Sequence, residues 1–421
     1  MNVLIFCSYF PPDKSVGVRR VVSLANYLAG MGDDVVVVTP YRKGSSECFD
    51  GLSQSIRVLH ATIFGVKEVS RGALNDYFPA NGDRIVGGWL RRIAISLKRN
   101  YVNKIFGQMA DLNLIYVPAV LLSGDVRRIA TTSVCISTTP SWASHLTVYL
   151  LKFFDKNINY VLDYRDPFSD CHLFAGRLSF LERKLDQLFC AKASAVTSVS
   201  PSWVKMLSRY ASSPHLVRNG YDKRASHIPK GIRFKKGKND LLKIGYFGSM
   251  NHVDRLPISL LAAAKLAQRN IELFVYGEVG FVNELMKLES EYARVVLAGS
   301  IPYSEVLSVM TSMDVNYIQE TLIGDSLPTA GVIPTKVYEY VGAALPIISS
   351  VSEDGDSLLV LNGSGLLLKN CIGINDFAAL LGEIYGEGVE IRPDAEFIES
   401  CSRAHSNHKL RDILKSVGLG E

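Results

Sequence analysis

The stretch Pro334-Thr-Lys-Val-Tyr-Glu-Tyr-Val-Gly-Ala-Ala-Leu-Pro-Ile-Ile348 predicts a loop, a helix and a strand in quick succession. Lys336 falls at the start of the helix and Glu339 follows three residues later, so both side chains share one face. The first turn of a helix has unpaired N–H groups and the positive end of the helix dipole, which suits a phosphate. Gly342 and Pro346 are predicted to end the helix. A capped amphipathic helix with a Lys336–Glu339 ion pair explains the same residues equally well.

Length and composition predict a globular protein with more than one domain. A chain of 421 residues is too long for one ordinary core, which predicts two or three domains. The net charge of +5 does not by itself imply a nucleic-acid partner, and we expect none. The seven cysteines are odd in number and form no Cys-x-x-Cys pair, which argues against disulfides and zinc. Because we find neither a secretory signal nor an apolar run of about 18 residues, we expect a cytoplasmic protein.

The chain opens with the pattern of a doubly wound parallel sheet. Apolar runs at residues 3–7 and 35–39 flank a segment with helical spacing of apolar residues, which indicates a βαβ unit. The loop after the first strand contains Gly17 alone in place of G-x-G-x-x-G, which argues against an NAD enzyme. Gly17 would let the backbone approach a ligand, and Arg19 or Arg20 can contact an anion. A plain turn with solvated arginines is the alternative.

Residues 84–106 carry six basic residues, no acid, and apolar residues every three or four positions. Such a basic amphipathic helix can lie on an anionic membrane surface, which would put the protein on the inner face of the membrane. It can also pack on its own sheet with a solvated basic face.

Further strands are predicted at residues 114–117, 134–137 and 160–163. His145 falls early in a helix near the carboxyl edge of the sheet, although a lone histidine is more often structural than catalytic. Asp163 ends the strand at 160–163 and Arg165 and Asp166 come just after it, where charges suggest a site. A local Arg–Asp pair that braces the loop is the alternative, and no ligand pattern supports a metal.

Residues 223–242 are basic and predict a linker, after which a second sheet begins. A strand from Lys243 runs into a glycine loop with Gly248 and Ser249, and further strands are predicted at residues 271–276, 295–298, 315–318 and 347–350. The chain therefore predicts two Rossmann-like domains in tandem, with a ligand in the cleft between them at the carboxyl ends of both sheets.

Five segments in this order resemble family 4 glycosyltransferases with the GT-B fold: Tyr9-Phe-Pro-Pro with Gly17, Asp163-Tyr-Arg-Asp-Pro-Phe168, Arg218-Asn-Gly-Tyr-Asp222, Tyr246-Phe-Gly-Ser-Met250, and Thr335-Lys-Val-Tyr-Glu-Tyr with Gly342 and Pro346. The resemblance implies an acceptor domain at 1–222, a nucleotide-sugar domain at 243–393, and a helix from about 394 to 417 that crosses back to the first domain. It also implies transfer with retention at the anomeric carbon and without a metal.

Two positions depart from the family pattern. The family often has two glutamates separated by seven residues; Glu339 matches the second, and Gly331 stands in place of the first. The family also tends to have an arginine directly after the glycine of the first C-domain strand, where this chain has Ser249, with Arg255 as the nearest cation.

The resemblance implies a hexosyl- or N-acetylhexosaminyl-transferase that uses a nucleoside-diphosphate sugar and acts on a lipid-linked sugar or a growing surface polysaccharide. We expect the diphosphate to be held by Lys336, Arg255 and the backbone near Gly248, and the ribose by Glu339; the other predicted site residues are Ser249, Thr335, Gly17 and Arg165, with Asp166 and His145 orienting acceptor or donor sugar. Two alternatives remain: a non-catalytic protein that binds a sugar nucleotide or acts as a scaffold, and a sugar-nucleotide 2-epimerase.

Overall fold

The computed structural model describes residues 1–13, 16–41, 51–68, 111–170, 179–320 and 330–418. The chain divides into two compact units, Met1–Arg218 with Asn407–Glu421, and Asn219–Ser406. The segment 84–106, predicted as a basic amphipathic helix, lies outside the described residues.

The first unit is an α/β unit built on a mainly parallel sheet. Its strands are β1 Asn2–Cys7, β2 Asp34–Pro40, β3 Arg57–Thr62, β4 Gly65–Glu68, β5 Val134–Thr138, β6 Tyr160–Tyr164, β7 Ala195–Ser198 and β8 His215–Leu216. Its first six α-helices in the described ranges are α1 Val16–Gly30, α2 Val117–Leu122, α3 Gly124–Thr131, α4 Trp142–Phe154, α5 Ser179–Lys192 and α6 Pro201–Leu207.

The strand order in this sheet is β4-β3-β2-β1-β5-β6-β7-β8, and β4 is antiparallel to β3 while the other pairs are parallel. The order reverses between β1 and β5, which is the topological switch point of a Rossmann-like sheet. The strands predicted at 3–7, 35–39, 134–137 and 160–163 are confirmed.

The second unit has a smaller parallel sheet. The strands of this unit are β9 Ile232–Phe234, β10 Leu242–Phe247, β11 Ile271–Tyr276, β12 Ala293–Leu297, β13 Val315–Gln319, β14 Ile347–Ser350, β15 Leu367–Asn370 and β16 Val389–Ile391. Strands β10 to β15 form the parallel sheet, and β9 and β16 form a separate antiparallel pair. Its α-helices in the described ranges are α7 Ile258–Ala267, α8 Val282–Met286, α9 Tyr303–Met310, α10 Thr335–Ala343, α11 Asp356–Ser364, α12 Ile374–Tyr385 and α13 Ala395–Ser400. The order β12-β11-β10-β13-β14-β15 is again Rossmann-like, with its switch point between β10 and β13.

The last helix, α14 Arg403–Gly418, returns the chain to the first unit, as predicted. Leu410, Ile413, Leu414 and Val417 lie in the core that contains β1 and β2. Arg411 donates two hydrogen bonds to the carboxylate of Asp33, at 2.7 and 3.1 Å. The helix is therefore fixed to the first unit by both apolar burial and an ion pair.

Three local predictions are wrong or need correction. Residues 114–117 are helical because Asp111 caps a 3-10 helix at Leu112–Tyr116, and α2 follows directly from Val117 with Pro118 in its first turn. The helix predicted at 394–417 is two helices, α13 and α14, and Ser402 between them accepts a hydrogen bond from the amide of His405. Residues 223–242, predicted as a linker, lie within the second unit, where β9 pairs with β16.

Gly342 lies inside α10 rather than at its end, which is at Ala343 and is followed by Ala344 in the left-handed conformation. A Cβ at Gly342 would lie 2.7 Å from Cγ of Tyr221, so close packing explains the glycine. Gly342 therefore serves close packing and does not end the helix, while the strand predicted at 347–350 follows as expected.

A buried ion pair connects α1 to the centre of the first sheet. Arg20 donates to both carboxylate oxygens of Asp163, at 2.8 and 3.0 Å, and to the carbonyl oxygens of Val217 and Arg218. Thr197 also donates to Asp163, at 2.8 Å. Burial alone would raise the pKa of Asp163, but the Arg20 charge and these hydrogen bonds lower it below its ordinary value. Asp163 is thus ionised and braces the fold through Arg20, a distant partner, and not through the local Arg–Asp pair that the sequence left as an alternative.

Replacing Asp163 with Asn should leave the Arg20 guanidinium buried without a countercharge. We expect Asp163→Asn to lower the free energy of unfolding of the first unit by about 3–5 kcal/mol. Urea denaturation followed by tryptophan fluorescence measures this, because residues 219–406 contain no tryptophan.

The matched control is Glu68→Gln, which breaks an exposed ion pair with Arg57. In this pair the Arg57 side chain is 46% exposed and the Glu68 side chain 48% exposed. Exposed pairs contribute at most about 1 kcal/mol. Equal losses in the two variants would contradict the structural role of the buried pair.

Candidate functional site

At the switch point of the second sheet, the side chain of Tyr340 bridges the two diverging strands β10 and β13. β10 and β13 pair only at Ile244–Val315 and Gly245–Asn316. Beyond these pairs, the hydroxyl of Tyr340 on α10 accepts from the amide of Phe247, at 2.9 Å, and donates to the carbonyl oxygen of Tyr317, at 3.0 Å. The phenol thus occupies the gap between the diverging strands, and α10 begins beside their carboxyl ends.

The loop after β10 depends on glycine. Gly248 has φ +131°, a conformation that disfavours any residue with a Cβ. Gly277 follows the neighbouring strand β11, and a Cβ there would lie 2.4 Å from the carbonyl oxygen of Gly248. The two glycines therefore allow the backbone to pass close to the start of α10.

Lys336 occupies the first turn of α10 and extends its side chain over this loop. Its Nζ atom lies 4.1 Å from the ring centroid of Tyr246, a cation–π distance. A Cβ built on Gly248 would lie 3.9 Å from the same Nζ atom. The predicted neighbours Lys336 and Gly248 are thus brought together at the carboxyl edge of the second sheet.

Arg255 and Ser249 belong to the same cluster. Arg255 ends the 3-10 helix Val253–Arg255, and its Nη1 atom lies 3.5 Å from the carbonyl oxygen of Ser249. The amide of Gly248 donates to the carbonyl oxygen of Tyr276 and that of Met250 donates to Glu278, both at 2.8 Å. These two N–H groups are already used within the loop, and the role of the backbone around Gly248 toward a diphosphate stays a prediction.

Glu320 is a third charged group near Lys336 and Arg255, and the sequence motifs did not indicate it. It directly follows β13, and its carboxylate accepts a hydrogen bond from the hydroxyl of Ser357 near the start of α11. Burial raises the pKa of Glu320, while the Ser357 hydrogen bond and the charges of Lys336 and Arg255 lower it in part. Its position at the end of a predicted strand was a signal that could have identified it.

The pKa of Lys336 is lowered to about 7, first by burial and then by the neighbouring Arg255 charge, while Glu320 opposes this shift. An amine with this pKa is partly neutral near pH 7. A bound anion would favour the charged amine, so this group is well suited to respond to a phosphate.

Thr335 and Glu339 lie on the same helix as Lys336. Thr335 is the first residue of α10, and Glu339 follows Lys336 by three residues, both half-buried. The positions predicted for these residues are confirmed, and their roles toward a ligand stay predictions.

The other predicted site residues lie at the carboxyl edge of the first sheet. Arg165 donates through Nη1 to the carbonyl oxygen of Gly17, at 2.8 Å. The hydroxyl of Thr139 accepts from the amides of Arg165 and Asp166 and donates to the carbonyl oxygen of Asp166, at 3.0 Å. The structure therefore brings Gly17, Arg165 and Asp166 together.

His145 is fully buried in α4. Its Nδ1 atom lies 2.7 Å from the hydroxyl of Ser137, and its ring packs edge-on against Tyr164. Burial lowers the pKa of His145 to about 3, so the imidazole is neutral. This environment favours the structural role over contact with an acceptor or a donor sugar.

The described part of the chain contains no group of three or more His, Cys, Asp or Glu side chains able to hold a metal ion. No described helix combines the length and the apolar character needed to cross a membrane.

Solved structures of similar fold cover nearly the whole chain. HepE from Anabaena in complex with UDP has a TM-score of 0.57 at 13% identity, covering 99% of this chain and 100% of that one. A mutant of S. aureus TarM in complex with fondaparinux, alpha-GlcNAc-glycerol and UDP has a TM-score of 0.55 at 12% identity, covering 100% of both. A UDP-forming alpha,alpha-trehalose-phosphate synthase from Burkholderia xenovorans has a TM-score of 0.53 at 11% identity, covering 98% and 99%.

The chain has the GT-B fold. That conclusion rests on the two Rossmann-like units together with these structural similarities. No protein-family model matches the chain, and no curated protein matches it. At identities of 11–13% the similarity establishes the fold, and the chemistry must be argued from the residues of this chain.

If Glu320 supports the charge on Lys336, its neutralisation should lower the pKa of the amine further. Glu320→Gln keeps an oxygen that can accept from Ser357 but removes the negative charge. Competitive labelling of Lys336 with an amine reagent across pH, read by mass spectrometry, should give a pKa near 7 for the native protein. We expect a lower value for the variant.

Glu284→Gln is the control, because Glu284 is an exposed acid on α8 in the same unit. It should leave the labelling curve of Lys336 unchanged. A curve for native Lys336 like that of unperturbed lysines, which titrate near 10.4, would contradict the described environment.

Proposed function

We propose that the protein is a glycosyltransferase that transfers a hexosyl or N-acetylhexosaminyl group from a nucleoside-diphosphate sugar to an acceptor. The observation that carries this proposal is the amine of Lys336, in the first turn of α10 and beside the glycine loop after β10. Cations at a helix start next to the switch point of a Rossmann-like sheet suit a diphosphate. Structures of similar fold contain UDP or UDP-glucose, which supports the same assignment.

In this proposal Lys336 and Arg255 bind the diphosphate, and Glu339 accepts hydrogen bonds from the ribose hydroxyls. The positive charges of Lys336 and Arg255 stabilise the negative charge that develops as the bond between the anomeric carbon and the phosphate oxygen breaks. The bonding electrons stay on that oxygen and yield the nucleoside diphosphate. The acceptor oxygen bonds to the anomeric carbon on the same face, and its proton passes to the departing phosphate oxygen. Anomeric configuration is retained.

Several finer features belong to the same proposal. The resemblance of the motifs supports membership of glycosyltransferase family 4, and the paired cations Lys336 and Arg255 give the diphosphate a counter-charge without a metal. Asp166, on the first sheet, is assigned to substrate orientation. The acceptor is proposed to be a lipid-linked sugar or a growing surface polysaccharide, which a cytoplasmic protein would meet at the inner face of the membrane.

Gly331 is the observation that favours a second candidate, a protein that binds a sugar nucleotide without transferring it. The residue is buried and offers no side chain to the donor sugar. Tight UDP-sugar binding with neither hydrolysis nor transfer across a panel of donors and acceptors would select this candidate. Product formation from the donor alone would instead select a 2-epimerase.

Lys336→Met should weaken binding of UDP because it removes a charge-assisted hydrogen bond. Such a bond contributes about 1.5–3 kcal/mol, which corresponds to about 10- to 150-fold in Kd. Isothermal titration calorimetry measures the Kd, and kcat with an identified acceptor should fall by about 10²–10³-fold.

Lys265→Met is the matched control, since Lys265 is an exposed lysine on α7 of the same unit. Its UDP affinity should equal that of the native protein. Native affinity in a folded Lys336→Met variant would refute the assignment of Lys336.

UDP-glucose should bind more weakly as the pH rises through about 7. The Lys336 amine is charged below its pKa of about 7 and neutral above it, while the diphosphate diester keeps its charge. We expect the Kd to rise by at most about tenfold per pH unit between pH 7 and 9. The Lys336→Met variant should lose most of this dependence, and a pH-independent native Kd would contradict the role of the amine.

A further inference from the structure

One amide side chain ties the loop that carries Arg255 to the second sheet. Residues 251–254 of this loop are exposed, and the 3-10 helix that ends at Arg255 has no buried residue. The Nε2 atom of Gln319, the last residue of β13, lies 2.9 Å from the carbonyl oxygen of Asp254 and 3.3 Å from that of Leu256. Gln319 therefore holds the backbone on both sides of Arg255.

The orientation of the Gln319 amide is determined by its three partners. A carbonyl oxygen only accepts, so the atom that faces Asp254 and Leu256 is the nitrogen, which donates one hydrogen to each. The hydroxyl of Tyr317 donates to the remaining Oε1 atom, at 2.8 Å. Tyr317 is buried, and burial raises its pKa well above the ordinary value, so the hydroxyl keeps its hydrogen. The amide is thus fixed from the sheet and from the loop.

This connection acts against a repulsion between two cations. The charge of Arg255 lowers the pKa of Lys336, so the two side chains lie close enough to repel each other. Repulsion alone would favour a more distant position of Arg255, which an exposed loop can adopt. The hydrogen bonds from Gln319 oppose that movement, and a loop that is already ordered spares a bound anion the cost of ordering it.

We propose that Gln319 is a positioning residue of the candidate site: it holds Arg255 beside Lys336, so that both cations contact the same diphosphate. The contact with a diphosphate rests on the proposed function, whereas the placement of Arg255 beside Lys336 does not. Because Glu320 follows Gln319 directly, the end of β13 supplies both the group that holds the Arg255 loop and the acid whose charge interacts with both cations.

The first test is the pKa of Lys336, measured by competitive amine labelling of the ligand-free chain. Arg255→Met removes a charge that lowers this pKa and should raise it above about 7. Gln319→Met has a side chain of similar length that cannot donate, so Arg255 moves away and the pKa rises in the same direction. The double variant should match Arg255→Met, because Gln319 acts through Arg255. Additive shifts, or a native pKa in folded Gln319→Met, would overturn the proposal.

Tyr385→Phe is the matched control, because Tyr385 also bonds from one side chain to two backbone carbonyls of the second unit. Its hydroxyl lies 3.0 Å from the carbonyl oxygen of Asp240 and 2.6 Å from that of Asn270, which precede β10 and β11 at the opposite edge of the sheet. Loss of these bonds should lower the melting temperature without changing the pKa of Lys336. A pKa shift equal to that of Gln319→Met would indicate a general effect of stability and overturn the proposal.

If Gln319→Met does not fold, Gln319→Asn takes its place in both tests. Its side chain is one carbon shorter and should not reach both carbonyl groups, so the same rise in the pKa of Lys336 is expected. A native pKa in this variant would contradict the positioning role.

UDP affinity, measured by isothermal titration calorimetry on the same variants, separates this proposal from the proposed function. Gln319→Met should weaken UDP binding by no more than Arg255→Met does, which is about 10- to 150-fold for one charge-assisted hydrogen bond. The double variant should bind UDP as Arg255→Met does. A chain that shows the expected pKa shifts but binds no UDP would refute the proposed function and leave the positioning role intact. Native UDP affinity in folded Gln319→Met would refute the positioning role alone.

Discussion

The hydroxyl of Tyr340 is the contact on which the candidate site depends. It accepts from the amide of Phe247 on β10 and donates to the carbonyl oxygen of Tyr317 on β13, at the point where these strands stop pairing with each other. Without that bridge, two buried backbone groups would lack partners, and each would cost about 1–3 kcal/mol. Because the same helix carries Lys336 one turn earlier, the bridge also fixes the amine beside the loop at Gly248.

The two sheets share a topology but use charge at their carboxyl edges differently. In the first unit, Arg20 is neutralised by Asp163 in a buried bidentate pair, so its charge stabilises the fold. In the second unit, Lys336 and Arg255 lie near one half-buried acid, Glu320, whose carboxylate accepts a hydrogen bond from Ser357. Burial first, and then the Arg255 charge, lower the pKa of Lys336, while Glu320 offsets part of this shift.

The sequence predicted the alternation of strands and helices because buried parallel strands are continuous apolar runs and the helices between them have regular apolar spacing. It also predicted that Lys336 and Gly248 would meet, since both follow strands at one edge of one sheet. It did not predict that Arg20 and Asp163, 143 residues apart, form a closed pair, or that His145 is buried. Those outcomes depend on side-chain packing between distant segments. Capping by Asp111 likewise overrode the apolar run at 114–117.

A crystal structure of the chain with bound UDP tests the central claim most directly. The account predicts that the diphosphate lies within hydrogen-bond distance of Lys336 Nζ, with Arg255 on the same phosphates and Glu339 on the ribose. A diphosphate bound elsewhere on the second unit, or at the carboxyl edge of the first sheet, would contradict it.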